Sequence, residues 1–215
     1  MVLVPYGDDI KRRRAPIVNS AIILANLAVF VKYAMIEPQY AQVVSVHGFV
    51  PAQWTVASAF TSMFLHADVL HLLGNMLFLF VVGDNVEDRF GHLPYTLFYA
   101  LAGVVAIGSH ACAATGDAAR IPTIGASGAV SGAMGAYLVL YPFNAIKLFF
   151  YVIPIRIPAF AFIGLWIATQ WLLVRAEQQG QATSIAVWAH LGGFAFGFVV
   201  ALVFRLVEKK PPADK

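Results

Sequence analysis

Gly125-Ala126-Ser127-Gly128-Ala129-Val130-Ser131-Gly132 is an unusual way to begin an apolar helix. Each glycine in a helix costs about 1 kcal/mol relative to alanine. Small residues earn a place in a helix when two backbones must approach closely, which is common between helices in lipid. Ser127, Ser131 and Gly135 fall at i, i+4 and i+8, so they share one thin face. Taken alone, the stretch reads equally as a packing face with incidental serines or as a place where a serine is used.

The rest of the chain sets the solvent around this stretch. Of 215 residues, 60% are hydrophobic and 12% are charged. Soluble domains carry about 25% charged residues, so lipid is the expected solvent. The net charge of +3 does not point to nucleic acid, because the basic residues sit between and beside apolar runs rather than over one face. The single cysteine, Cys112, allows neither an internal disulfide nor a cysteine-based zinc site. It is expected to be a small buried hydrophobe.

Six spans follow from the apolar runs, at roughly 17–35, 70–87, 93–115, 126–141, 158–175 and 185–206. Gly91 with Pro94, Pro122, Pro142, and Pro154 with Pro158 separate them. Lys11 to Arg14 precede the first run, but that run is long enough to span and no clean cleavage site follows, so it is read as a retained helix. The expected organisation is a short basic cytoplasmic N-terminus (1–14), a membrane domain (15–207) and a polar cytoplasmic tail (208–215).

Basic residues orient the bundle. With the N-terminus in the cytoplasm, Lys11, Arg12, Arg13, Arg14, Arg89, Lys147, Arg156, Arg205, Lys209, Lys210 and Lys215 lie inside, and only Lys32, Arg120 and Arg175 lie outside. An even number of spans also keeps both termini together, which a five-span reading does not. Segment 36–66 is long for a loop and carries Phe49, Trp54, Phe60 and Phe64, so a partly interfacial structure is expected, with aromatics at headgroup level.

Polar groups inside spans are costly and therefore informative. Asn26 and Thr169 are expected to hydrogen-bond to neighbouring helices, and His110 to lie near an outer helix end. Ala189-His190-Leu191-Gly192-Gly193-Phe194-Ala195-Phe196-Gly197 puts His190, Gly193 and Gly197 on one face, with Gly193 and Gly197 as a GxxxG pair. This groove suits the thin face of the fourth span. Ser127 lies 15 residues before Pro142, and His190 lies 15 residues before Arg205. At ~1.5 Å per residue, both stand roughly 22 Å above the inner boundary. The chain from Pro122 to Gly125 must then descend as non-helical backbone, which is tolerated only when buried in protein or lining a wet cavity. His71 and Asn75, at i and i+4 of the second span, point their donors the same way, whereas Asp68 is read as a solvated surface residue.

A serine hydroxyl needs a base to become a nucleophile, and an imidazole titrates in the right range. Attack on a carbonyl makes an oxyanion that needs fixed donors. The expected constellation is a Ser127–His190 dyad. Its donors are His71, Asn75 and the backbone N–H of Ser127 at the positive end of its helix. No acid stands at an obvious position to orient His190.

Together these segments resemble the rhomboid family of intramembrane serine proteases. Gly125-Ala126-Ser127-Gly128 resembles its GxSG motif, Ala189-His190 with Gly193 and Gly197 its AHxxGxxxG motif, and His71-Leu72-Leu73-Gly74-Asn75 its HxxxN motif. Gly83 to Gly91 is similar to the loop after the family's second helix. The resemblance covers roughly residues 15–206. It implies an all-α, six-transmembrane-helix rhomboid-like bundle with helix packing at Gly125, Gly128, Gly132, Gly193 and Gly197. It implies no metal, no cofactor and transmembrane protein substrates held in the lipid bilayer. It also implies a substrate gate at Phe160, Phe162, Trp166 and Trp171 and a cap near 176–184. The expected location is the plasma (inner) membrane, with the site opening to the non-cytoplasmic side. One departure is visible: Trp54 is followed by Thr55, where many members have Trp-Arg. An inactive rhomboid-like protein that binds membrane clients is the main alternative, although such relatives usually lack the serine or the histidine. A transporter fits less well, since no inverted repeat is evident, and no HExxH zinc motif is present.

Overall fold

The computed structural model describes residues 3–180 and 186–208. Five helices are long and apolar enough to cross a membrane: α1 (Ile17–Ile36), α2 (Val69–Phe90), α3 (His92–Ala113), α5 (Ala159–Gln178) and α6 (Val187–Val207). The shorter apolar helix α4 (Ser127–Leu140) makes the sixth. The chain is an integral membrane protein built as a helical bundle. The polar tail expected at 208–215 lies, beyond Glu208, outside the described residues.

Burial sorts the helices. Almost every residue of α4 is buried, including Ser131, Met134 and Tyr137. Most of α1, α3, α5 and α6 faces outward, with Leu24, Leu97, Leu172 and Leu206 exposed. An exposed leucine belt is costly in water and matches a lipid surface. Because α4 is sheathed by protein on all sides, it can be short and rich in small residues.

Glycines set the packing of α4 on α6, the most extensive helix pair in the bundle. A Cβ on Gly193 would collide with the Gly128 carbonyl, one on Gly197 with that of Gly132, and one on Gly135 with that of Phe194. The face that seats on α6 is therefore Gly128, Gly132 and Gly135. Gly135 seats as expected, whereas the rest of the contact falls on Gly128 and Gly132, one position round from Ser127 and Ser131. Ser131 instead donates to its own helix, at the Ser127 carbonyl (2.7 Å). Arg205 Nη1 donates to the Val139 carbonyl (2.7 Å), closing the free end of α4.

α1 and α2 each contain a π-helical turn, at Val31–Ile36 and Leu79–Gly83. Such turns free backbone carbonyls. Asn19 Nδ2 reaches the Leu79 carbonyl (3.1 Å), and Tyr95 donates its hydroxyl to Asn19 Oδ1 (2.8 Å). The fully buried Glu87 accepts from the backbone N–H groups of Val18 and Asn19 at the start of α1 (2.9 and 2.7 Å). A carboxylate at a helix N-terminus satisfies orphan donors and opposes the positive dipole end. Arg12 pairs with Asp84 (2.9 Å) at the same end.

That end also carries a small antiparallel sheet ordered β1 (Leu3–Asp8), β2 (Ala145–Phe150), β3 (Ile153–Pro158). Asp8 ties it to the bundle, accepting from Tyr137 Oη (2.7 Å) and Asn85 Nδ2 (2.8 Å). Burial pushes the Asp8 carboxyl above its usual range, the Tyr137 hydrogen bond opposing. Asp9 pairs with Lys147 and Arg156, fastening the N-terminal segment over the hairpin.

Segment 36–66 folds into the short helices Tyr40–His47 and Val56–Thr61. Trp54 and Phe60 are exposed, as an interfacial segment requires, but Phe49 is buried beside Ala59 and Ile107 and bridges to Thr123. Thr55, standing where an arginine was missed, N-caps the second short helix in a capping box with Ser58. Three single-residue expectations change. Cys112 is exposed near the end of α3, where the helix faces outward. Asn26 and Thr169 donate within their own helices, to Ile22 and Trp166, because each has a freely reachable carbonyl one turn back.

Candidate active site

The chain enters α4 as extended, non-helical backbone from Pro122 to Gly125. Thr123 pairs with Phe49, and Gly125 N–H donates to the Ser62 carbonyl (2.9 Å). The descending strand expected ahead of Ser127 is therefore held on both sides by segment 36–66. Gly125 has φ +124°, a conformation open to glycine. Its missing side chain matters as much, because a Cβ there would stand 2.8 Å from His71 Cε1 and Nε2 and 3.8 Å from Asn75 Nδ2.

Two donors thus converge on the backbone just before Ser127. Asp68 N-caps α2 by accepting from the His71 N–H (2.8 Å), a structural task in place of simple solvation. That cap sets the start of α2 and hence the direction of His71. His71 Nδ1 lies within 3.5 Å of the Ala67 N–H and accepts from it, so its proton belongs on Nε2, the atom against Gly125. Asn75 is buried, and among the described residues its Nδ2 has no hydrogen-bond partner. A buried amide donor without an acceptor costs ~1–3 kcal/mol.

Ser127 is half-buried at the first position of α4, where no side chain caps the helix. A small pocket beside it is lined by Met63, Thr123, Gly125, Gly128, Ala186 and Ala189. A Cβ on Gly128 would lie 3.7 Å from the Ala189 carbonyl. The starts of α4 and α6 therefore stand level, and His190 follows Ala189 directly.

His190 is held from α5. Its Nδ1 lies 2.8 Å from Gln170 Oε1, and its ring centroid lies 6.0 Å from that of Trp166. Gln170 escaped the sequence reading, and its only signal there was a polar amide inside an apolar span. Trp166, expected at the gate, turns its ring inward, against His190 and Phe194. Phe162 is buried and stacks on Phe78 of α2 (5.7 Å). Phe160 stands in the first turn of α5, ten residues before Gln170, about 15 Å along the axis from that level. Trp171 is exposed under Arg175. Of the cap at 176–184, residues 181–184 lie outside the described residues.

His66 also enters this neighbourhood. It is fully buried, its ring centroid is 5.0 Å from that of His71, and neither ring nitrogen has a partner among the described residues. Burial, reinforced by neighbouring His71, pushes it down to about 4.

Comparison with known proteins decides the family. A family model described as the rhomboid domain matches residues 53–206, most of the chain. The chain belongs to the rhomboid family. It is 32% identical over 214 residues to Rhomboid-related protein 2 of Mus musculus, covering 90% of this chain and 66% of that protein. It is 30% identical over 156 residues to RHOMBOID-like protein 1 of Arabidopsis thaliana, covering 68% of this chain and 34% of that protein. Rhomboid protease GluP of Bacillus subtilis is 31% identical over 151 residues, covering 68% of this chain and 25% of its own length. The chain thus spans between a quarter and two thirds of the length of these relatives. The rhomboid match includes α2 to α6, and with them every residue of the constellation around Ser127.

Proposed function

We propose that this rhomboid chain is an intramembrane serine endopeptidase that hydrolyses peptide bonds in or near transmembrane segments of other membrane proteins. The observation that carries the reading is the pair of donors at Gly125. The Nε2–H of His71 and the unpartnered Nδ2–H of Asn75 both meet the backbone that leads into Ser127. A buried donor without an acceptor is costly in the resting protein and useful only where negative charge will appear.

In this mechanism Ser127 Oγ attacks the scissile carbonyl carbon while His190 Nε2 takes its proton. The carbonyl oxygen becomes an oxyanion and accepts from Asn75 Nδ2, His71 Nε2 and the Ser127 N–H. When the intermediate collapses, the C–N bond breaks and His190 returns its proton to the leaving amine. Water, activated by the same imidazole, then adds to the acyl-enzyme and releases the new carboxylate and Ser127. Gly125, Gly128, Gly132, Gly193 and Gly197 serve by letting α4 approach α6. Trp166, Trp171, Phe162 and Phe160 line the path of entry along α5. The N-terminal segment (1–14) and the tail (208–215) flank the membrane domain (15–207) in the cytoplasm, with the site opening to the opposite face of the plasma (inner) membrane.

The test is cleavage of a tagged transmembrane substrate in proteoliposomes, with fluorophosphonate labelling alongside. Wild type should cleave and label; Ser127→Ala should do neither, and His190→Ala should lose labelling. Cleavage that persists in Ser127→Ala defeats the assignment. A wild-type chain that neither cleaves nor labels, yet retains a membrane client, belongs instead to an inactive client-binding role.

A further inference from the structure

One ring and one amide beside His190 come from the same helix. Trp166 and Gln170 are four residues apart on α5, on one face. Trp166 lies beside the imidazole and Gln170 reaches its Nδ1. Gln170 is 5% exposed, so this amide is placed where it has few other partners.

We infer that Gln170 is a positioning residue that fixes the tautomer of His190, accepting the Nδ1–H and thereby leaving Nε2 with its lone pair for Ser127. This rests on the protease reading above for its kinetic consequence, though not for the hydrogen bond itself. The direction of the bond follows from the neighbours. An amide can present either its oxygen or its NH2 to an imidazole, and the two choices give opposite tautomers. Thr169 settles which one. Its hydroxyl donates to the Trp166 carbonyl (2.6 Å), so its oxygen has lone pairs left to accept, and Gln170 Nε2 stands 3.4 Å away. With the amide nitrogen engaged by Thr169, the oxygen faces His190 and must accept. Nδ1 then carries the proton, and Nε2 is the free base.

The reverse arrangement disables the chemistry. A Gln170 NH2 turned to Nδ1 places the proton on Nε2, where it opposes Ser127 instead of receiving from it. No acid stands at an obvious position in the sequence to orient His190, and a neutral amide oxygen does the orienting without adding a buried charge. A carboxylate at this point would orient as well and would also stabilise the imidazolium.

The experiment uses the full chain in nanodiscs with 15N-histidine, the His190 signal being assigned by its loss in His190→Ala. Wild type should show His190 protonated at Nδ1 and bare at Nε2 near neutral pH, and Gln170→Leu should lose that pattern. In cleavage assays Gln170→Leu should lower kcat roughly ten- to a hundred-fold, the range seen when partners of metal-bound imidazoles are removed, with KM unchanged. Gln170→Glu should restore kcat and shift the acid limb of the pH profile upward. An Nε2–H tautomer in wild type overturns the inference, as does a Gln170→Leu enzyme with wild-type kcat and pH profile. A wild type that shows the Nδ1–H tautomer but neither cleaves nor labels supports the pairing and overturns the protease reading.

Discussion

Substituting Gly197 by alanine tests whether the α4–α6 glycine contact holds the site in register. The three atoms nearest an added Cβ are all backbone atoms of Gly132: its oxygen, its carbonyl carbon (2.6 Å) and its Cα (2.8 Å). Carbon atoms settle at about 3.5 Å or more, and the Gly132 oxygen lies nearer still, so the two helices must part by at least about 1 Å to admit one methyl group. No side chain can turn aside to relieve the overlap. Overpacking of this kind costs ~1–3 kcal/mol. The larger effect should fall on activity, because α4 carries Ser127 and α6 carries His190, and a 1 Å misplacement of reacting groups can cost ~100-fold in rate. Gly108→Ala in α3 is the control, since a Cβ there meets nothing within 4 Å. The assay pairs cleavage of a tagged transmembrane substrate with thermal unfolding in detergent. Gly197→Ala should fall roughly a hundred-fold in kcat and melt lower, while Gly108→Ala keeps both. If the two variants behave alike, the glycine contact does not position the site and the reasoning fails.

Asn75→Ala removes the unpartnered donor, so kcat should drop ~10²–10³-fold, the usual effect of losing one oxyanion donor. Its melting temperature should hold or rise, because the buried NH2 has no partner to lose; an active but unstable variant would reverse the assignment of Asn75. His66 makes stability depend on acid. Its folded value of about 4 lies below the ordinary 6.5, so the unfolded chain binds the proton first, and stability is lost as pH falls through that window. Full loss amounts to roughly 3 kcal/mol, and His66→Phe should flatten the melting temperature between pH 6.5 and 4; a slope identical to wild type would show that other groups carry it. Glu87→Ala leaves two N–H groups of α1 without their acceptor, so unfolding should become easier by ~1–2 kcal/mol, and an unchanged melting curve would show that α1 needs no such cap.

Much of this architecture was legible because a membrane chain writes its spans as apolar runs, and all six spans follow within a few residues. The level match of Ser127 and His190 was legible too, since helix rise is constant and two anchors, Pro142 and Arg205, mark one boundary. What escaped has a common physical origin: pairings between residues far apart in sequence that have no period. β1 pairs with β2 across more than 130 residues, and neither strand announces itself among the apolar helices. The carboxylate of Glu87 meets α1 only after α2 has returned through the bundle. Gln170 is the sharpest case. A glutamine in a span reads as a cost, and only the approach of α5 to α6 turns that cost into a hydrogen bond on His190. The same holds for the glycine face, where a period of four correctly predicted a groove and a ridge but a rotation of one residue decided which atoms touch. Gly128 and Gly132, not the serines, bear the close backbone contact, and Ser127 stands instead beside a pocket that the start of α6 also lines.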